Sequence, residues 1–208
     1  MPISKQTYNE LKRRFGDCAS WAIWNDPAPG KSETRDCSEF IGPEAILDNE
    51  SKVLSSLNDK YMFVGLNPSG EKPKAKQPKW NNFHVTCKDA RLRKALKGTR
   101  HWGSYLTDFV KGHFDSVSGR VNPNETKTKK AMNDLARELE LLRNVEIIFA
   151  MGHKAERFLR SFCESRKNQF PNLKVAYFPH YSMRCSRDSY LAKAREALGI
   201  SPKQGGMP

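Results

Sequence analysis

Apolar positions along the chain follow two rhythms. Short unbroken apolar runs that stop at Gly or Pro read as buried strands, whereas apolar residues spaced three and four apart read as helix faces. Tyr61-Met-Phe-Val-Gly-Leu66 ends at the turn signal Asn67-Pro68. Val145-Glu-Ile-Ile-Phe-Ala-Met151 ends at Gly152 and is followed at helical spacing by Ala155, Phe158, Leu159 and Phe162. Leu173 to Phe178 stops at Pro179-His180, after which Ser189 to Leu198 reads as a helix. Lys127 to Arg143 is a further helix, with Ala131, Leu135, Leu139 and Leu142 on one stripe. Tyr105 to Val110 makes a fourth strand on a shorter alternation. Strands separated by helices require crossover connections, which imply parallel pairing and a layered α/β fold.

The first 60 residues carry a weaker pattern. Tyr8 to Phe15 and Glu44 to Leu57 predict helices, and Trp21, Ile23 and Trp24 are expected to dock on the core. Pro68 to Pro78 holds Gly70, Pro73 and the spaced lysines Lys72, Lys74 and Lys76, with Lys79 just beyond, and predicts a loop. The expected organisation is one domain: an N-terminal helical part over 1–58, an α/β core over 59–200 and a tail over 201–208. A chain of 208 residues suits a single core. In such sheets ligands gather beyond the carboxyl ends of the strands. Those ends are Gly65 to Gly70, Thr107-Asp108, Met151-Gly152 and Pro179 to Arg184.

Charge changes the picture. Against 36 Lys plus Arg stand 23 Asp plus Glu, a net +13. The excess lies in two blocks, since residues 71–130 carry a net +10 and residues 153–208 a net +7, while the intervening stretches are each −2. A concentrated positive field attracts polyanions, nucleic acid foremost, although a solvated solubilising face has the same composition. No run approaches a membrane span and residues 1–6 lack the apolar run of a secretory signal, so a soluble, cytoplasmic protein is expected. Five cysteines without a C-x-x-C pair argue against a zinc ribbon, a disulfide framework or an iron–sulfur cluster. No metal or organic cofactor is expected, and the chain is expected to be monomeric.

Gly65-Leu-Asn67-Pro-Ser-Gly70 lacks the Gly-Lys-Ser/Thr ending of a phosphate-binding loop, which gives nucleotide hydrolysis little support. Together with Asn82-Phe83, Tyr105-Leu-Thr-Asp-Phe-Val-Lys111, Ile148-Phe-Ala-Met-Gly-His-Lys-Ala155 and His180-Tyr-Ser182 it resembles, in order, the motifs of the uracil-DNA glycosylase superfamily. The first segment is similar to that of the mismatch-specific branch, and the third to Tyr-Ile-Thr-Asn-x-Val-Lys of the thermostable branch. The resemblance covers about residues 60–198 and implies a three-layer α/β/α fold around a central, mostly parallel four-stranded sheet. It also implies roles: Asn67 orients the hydrolytic water, Asn82-Phe83 supplies an aromatic floor for the flipped base, the strand residue at 108 reads the pyrimidine edge, and His180-Tyr-Ser182 closes the site before a wedge. Two positions depart from the family pattern, with Asp108 in place of Asn and Tyr181 in place of the Pro after His180.

The chemistry can be argued without the family. Cleaving a base from deoxyribose develops positive charge on the sugar and negative charge on the departing base. A site for it needs a held water, a donor to the leaving group, a stacking surface and phosphate anchors. Asn67 and His180 are the catalytic candidates, and Gly65, Leu66, Asn82, Phe83 and Asp108 the base-binding ones. Ser69, Lys72, Lys74, Ser182, Met183, Arg184 and Arg187 are the DNA-binding candidates, with Met183 or Arg184 as wedge, and Arg91, Arg93 and Lys94 adding backbone contacts. An ionised Asp108 only accepts hydrogen bonds, which suits the exocyclic amine of cytosine and repels O4 of uracil or thymine. A cytosine-type or modified pyrimidine is therefore the expected target, unless Asp108 is protonated or serves as a helix cap or a Lys111 partner. The leading expectation is a monofunctional DNA glycosylase acting in repair or against viral DNA. A catalytically silent DNA-binding module of the same fold is the alternative, and a Ser69/His180/Asp108 hydrolase the third, for which a Gly-x-Ser-x-Gly elbow is lacking.

Overall fold

The structure is a computed structural model and describes residues 3–26, 50–68, 78–84, 89–115, 117, 120–121 and 124–200. The elements in order are α1 (Lys5–Phe15), β1 (Ala19–Trp21), α2 (Glu50–Ser56), β2 (Asn58–Gly65), α3 (Asp89–Leu96), β3 (Ser104–Asp108), α4 (Glu125–Leu142), β4 (Ile147–Met151), α5 (His153–Ser165), β5 (Lys174–Phe178) and α6 (Arg187–Ala197). Local chemistry explains several boundaries. Ser4, Asn124 and Ser186 cap α1, α4 and α6, each accepting the backbone N–H three residues on. α5 begins directly after Gly152, whose φ of 94° is a turn that favours glycine.

The strands form one sheet in the order β1-β3-β2-β4-β5. β2, β3, β4 and β5 are mutually parallel, as expected. The four-stranded expectation needs one addition: β1 lies antiparallel on β3, with Ala19 opposite Thr107 and Trp21 opposite Tyr105. The segment 1–58 is therefore more than a helical appendage. Three residues of β1 are too few to show a period, which is why only their apolar character was readable. Trp21, Ile23 and Trp24 are buried, as expected.

Two apolar clusters flank the sheet and make three layers. On one face Leu11, Phe15, Leu135, Leu139, Leu159 and Phe162 from α1, α4 and α5 pack against Met62, Val64, Tyr105 and Ile148. On the other, Ala90, Leu92, Leu96, Tyr190 and Ala194 from α3 and α6 pack against Phe63, Leu106 and Phe149. Strands covered on both faces read as nearly continuous apolar runs, and this made β2 and β4 legible. α3 was not, because its sequence is dense in charge. Arg93 is buried there, bonding the carbonyl of Asn25 at 3.0 Å and pairing with the Asp26 carboxylate. Arg91 reaches the carbonyls of Met183 and Cys185 at 3.0 and 3.1 Å. These two arginines hold the protein together, which corrects their expected use on the DNA backbone.

The chain leaves β2 toward β3 on one side and leaves β4 toward β5 on the other. The carboxyl ends of β2 and β4 thus mark the topological switch point, the position at which open α/β sheets bind ligands.

Candidate active site

Alternation along β3 sends Tyr105 and Thr107 to the α4 face and Leu106 and Asp108 to the α3 face. Asp108 ends the strand in register with Gly65, at the end of β2. A Cβ at Gly65 would run into Asp108 Oδ1 and come within 3.7 Å of Met151 Cε. Glycine at 65 is what lets the carboxyl lie across the strand end. Asp108 is 2% exposed. Its Oδ2 accepts from Asn82 Nδ2 at 3.0 Å. Burial pushes its pKa up to about 7; the Asn82 bond and the Lys111 charge oppose this, and the Glu138 charge adds to it.

Asn82 is spent inside the protein. Its Nδ2 also donates to the carbonyl of Cys18 at 2.8 Å, and its Oδ1 accepts the N–H of Phe83 at 3.2 Å. Through these bonds it orients Asp108 and Phe83. The carbonyl of Phe83 accepts Trp24 Nε1–H at 3.2 Å. Phe83 packs in the same cluster as Met151 and lies edge-on to Tyr181, with ring centroids 6.3 Å apart.

Neither the helix-cap nor the Lys111-pair reading of Asp108 holds. It ends a strand and caps no helix, and Lys111 Nζ donates at 2.9 Å to its backbone carbonyl and not to its carboxylate. The Lys111 charge is matched by Glu138 of α4 at 2.8 Å. Glu138 also accepts from Tyr105 Oη at 3.0 Å and Thr107 Oγ1 at 2.9 Å. Burial disfavours the Lys111 cation, but Glu138, with Cys18 and Asp134 adding to it, holds Lys111 above its usual range. Burial likewise raises Glu138, against the pull of Lys111 and the two hydroxyls. This network was missed in the sequence, although an acid at 138 within the apolar stripe of 131, 135, 139 and 142 is a readable sign of a buried partner.

Asn67 follows β2 and is half-buried. Its Nδ2 faces the carbonyls of Pro68, His113 and Asp115 at 2.9, 3.1 and 2.9 Å. The neighbouring backbone continues the strand pairing, Phe109 and Val110 donating to the carbonyls of Gly65 and Leu66. Leu66 itself is buried in the cluster on the α4 face. At the end of β5, the Cβ of His180 lies 3.7 Å from where a Cβ at Gly152 would stand, which brings the closing motif to the β4 end. His180 Nδ1 accepts the N–H of Ser182 at 3.2 Å and lies 2.7 Å from Ser182 Oγ. An acceptor at Nδ1 puts the proton of the neutral ring on Nε2.

Gly65, Asn82, Phe83 and Asp108 are thus joined by direct contacts. Met151 and Gly152 link Gly65 to His180, and Tyr181 links His180 to Phe83. The family model of the Uracil DNA glycosylase superfamily matches residues 52–199. The chain belongs to that superfamily. No curated protein matches the sequence.

Of the remaining candidates, four follow the end of β5. Ser182 and Arg184 are exposed, and Met183 and Arg187 are half-buried on the turn and first residue leading into α6. Ser69, Lys72 and Lys74 lie outside the described residues. Among the described residues no cluster of His, Cys, Asp and Glu could hold a metal ion, and no helix is long and apolar enough to cross a membrane.

Proposed function

We propose that this protein is a monofunctional DNA glycosylase that hydrolyses the N-glycosidic bond of a flipped pyrimidine and leaves an abasic site. The observation that carries the reading is the buried Asp108 carboxyl lying over Gly65, clamped by Asn82 beside the Phe83 ring. A carboxyl there meets the hydrogen-bonding edge of a base stacked on Phe83. Asn67 cannot take a proton, and its Nδ2 is turned to backbone carbonyls, so its amide oxygen holds the attacking water by accepting from it. His180 Nε2–H donates to the base carbonyl as negative charge collects on the leaving group, with Ser182 setting the tautomer.

Asp108 sets specificity through its proton. Ionised, it accepts from the N4 amine of cytosine-type bases; protonated, it donates to O4 of uracil or thymine. A pKa of about 7 makes both forms accessible near neutrality, so the target class widens from cytosine-type pyrimidines to include uracil as pH falls. Ser182, Arg184 and Arg187, with Ser69, Lys72 and Lys74, hold phosphates, and Met183 or Arg184 fills the gap left in the base stack. The same chemistry serves repair of damaged bases and attack on modified viral DNA.

The test is abasic-site formation on duplexes carrying uracil, mismatched thymine, cytosine or 5-substituted cytosine. The expected result is product on at least one duplex that falls by 100-fold or more, on the order of the loss of one positioning group, in Asn67→Ala while DNA binding survives. Binding without product on every duplex would instead support a catalytically silent DNA-binding module.

A further inference from the structure

Phe83, read above as the stacking floor, has no open face in the free protein, being only 5% exposed. The floor itself is held. Its backbone stands at a φ of 64°, a conformation that a bulky residue keeps only where its surroundings over-determine it. Asn82 Oδ1 holds its N–H and Trp24 Nε1 its carbonyl. A base can reach Phe83 only if a neighbour moves.

The aromatic neighbour of Phe83 that belongs to no helix or strand is Tyr181. It lies on the turn between β5 and α6, outside any regular element, and is half-buried. Its ring stands edge-to-face with Phe83 at 77°, an arrangement that leaves no slot for an interposed base plane. The same ring stacks on His180, with centroids 4.5 Å apart and planes 24° from parallel. Tyr181 thus spans from the floor to the proposed leaving-group donor, which is where a flipped base would lie. We propose that Tyr181 is a gate for the base site: it fills the place of the target base in the free protein and turns out as the base enters. This rests on the reading of Phe83 as the floor. The exchange trades one set of ring contacts for another of the same kind, so gate and base compete directly. A base flips in only if its own stacking and edge contacts exceed those of the tyrosine.

The experiment uses full-length protein labelled with 3-fluorotyrosine, with the Tyr181 signal assigned by its loss in Tyr181→Phe. The probes are duplexes carrying a single 2′-fluoro-deoxyuridine or 2′-fluoro-deoxycytidine, in which the fluorine slows glycosidic cleavage, compared with an all-natural Watson–Crick duplex. The gate predicts that the Tyr181 fluorine signal shifts with at least one analogue duplex and not with the natural one. It also predicts that Tyr181→Ala binds that analogue about tenfold more tightly relative to the natural duplex, the equivalent of about one aromatic pair, while Tyr181→Phe matches the wild type. An unmoved signal on both analogues, or weaker discrimination in Tyr181→Ala, overturns the gate and makes Tyr181 a fixed wall. These readouts need no turnover. Absence of abasic product on every duplex would count against the glycosylase reading, while the fluorine signal would still decide the gate.

Discussion

Two buried carboxyls lie at strand β3, one on each face of the sheet, and although burial raises both, the protein supports them differently. Glu138 meets a lysine and two hydroxyls, so each of its oxygens has a strong donor and its charge has a counter-ion. Among the described residues Asp108 has one amide, from Asn82, and no cation bonded to its carboxylate, although Lys111 lies close enough to hold its backbone carbonyl. The first arrangement locks a charge into the fold, whereas the second leaves a buried acid whose proton is negotiable, at a pKa of about 7. Perturbed acids without counter-ions collect at functional sites; burial raises both acids, but Glu138 has a lysine and two hydroxyls opposing it where Asp108 has one amide and a more distant lysine charge. What separates the two is the supply of donors.

The comparison can be broken most forcefully from the Glu138 side. Glu138→Ala strands the Lys111 ammonium in the interior and is expected to cost about 3 to 5 kcal/mol of stability. Asp108→Ala, which leaves Asn82 its bond to Cys18, should cost about 1 kcal/mol. Urea unfolding of both variants measures the difference, and equal losses would mean that the two acids are equivalent.

The next effect is the pH dependence of stability. Asp108 has a folded pKa above its unfolded value, so the folded state binds the extra proton between the two. Its stabilising contribution is complete below the unfolded pKa and is lost as pH rises through about 7. Between about pH 5 and pH 8 the wild type should lose roughly 2 to 3 kcal/mol that Asp108→Asn does not lose. His84 and His101, whose pKa values burial lowers to about 3 and about 4, act in the opposite direction. They are common to both proteins and cancel in the difference. Unfolding curves of the pair at the two pH values that stay parallel would remove the negotiable proton.

Gly65→Ala sharpens the geometry. The added methyl meets Asp108 Oδ1 in a strand that needs no special backbone at 65. The expected cost is about 1 to 2 kcal/mol, by overpacking, with base excision falling well beyond what the stability loss explains. Excision that follows stability alone would remove Asp108 from the site. The smallest effect expected is that of Arg91→Ala, which releases the 183–185 turn from two hydrogen bonds at a cost of about 1 kcal/mol or slightly more. Hydrogen exchange should rise in that turn and leave β2 and β4 protected.

The sequence was legible where a single element carried the signal. β2 and β4 are apolar on both sides and end at Asn-Pro and Gly, so they and their loops were readable, and with them Asn67 and the closing motif at His180. β1 has three residues and gains its meaning only by pairing with β3, 84 to 88 positions away in register. α3 hid behind its charges, because nothing local indicates that Arg93 turns inward to Asp26 while Lys94 beside it stays half-exposed. The site divided in the same way. The residues on strand ends were found, yet their supports, Lys111 with Glu138 and Arg91 with the 183–185 turn, join elements distant in the chain. Asn82 sits beside Phe83 in the sequence, and only the three contacts of its amide reveal that it also ties Asp108 and Phe83 to the Cys18 carbonyl.

The most direct test of the central claim, that the proton on Asp108 selects the base, is the ratio of uracil to cytosine-type excision at about pH 6 and pH 8 in the wild type and Asp108→Asn. With an acid of pKa about 7, the protonated fraction falls about tenfold across that interval and the ionised fraction rises about tenfold. The wild-type ratio should therefore drop by up to about a hundredfold, while the ratio in Asp108→Asn stays flat. A wild-type ratio that does not change with pH, or an Asp108→Asn ratio that follows the same curve, would contradict the account.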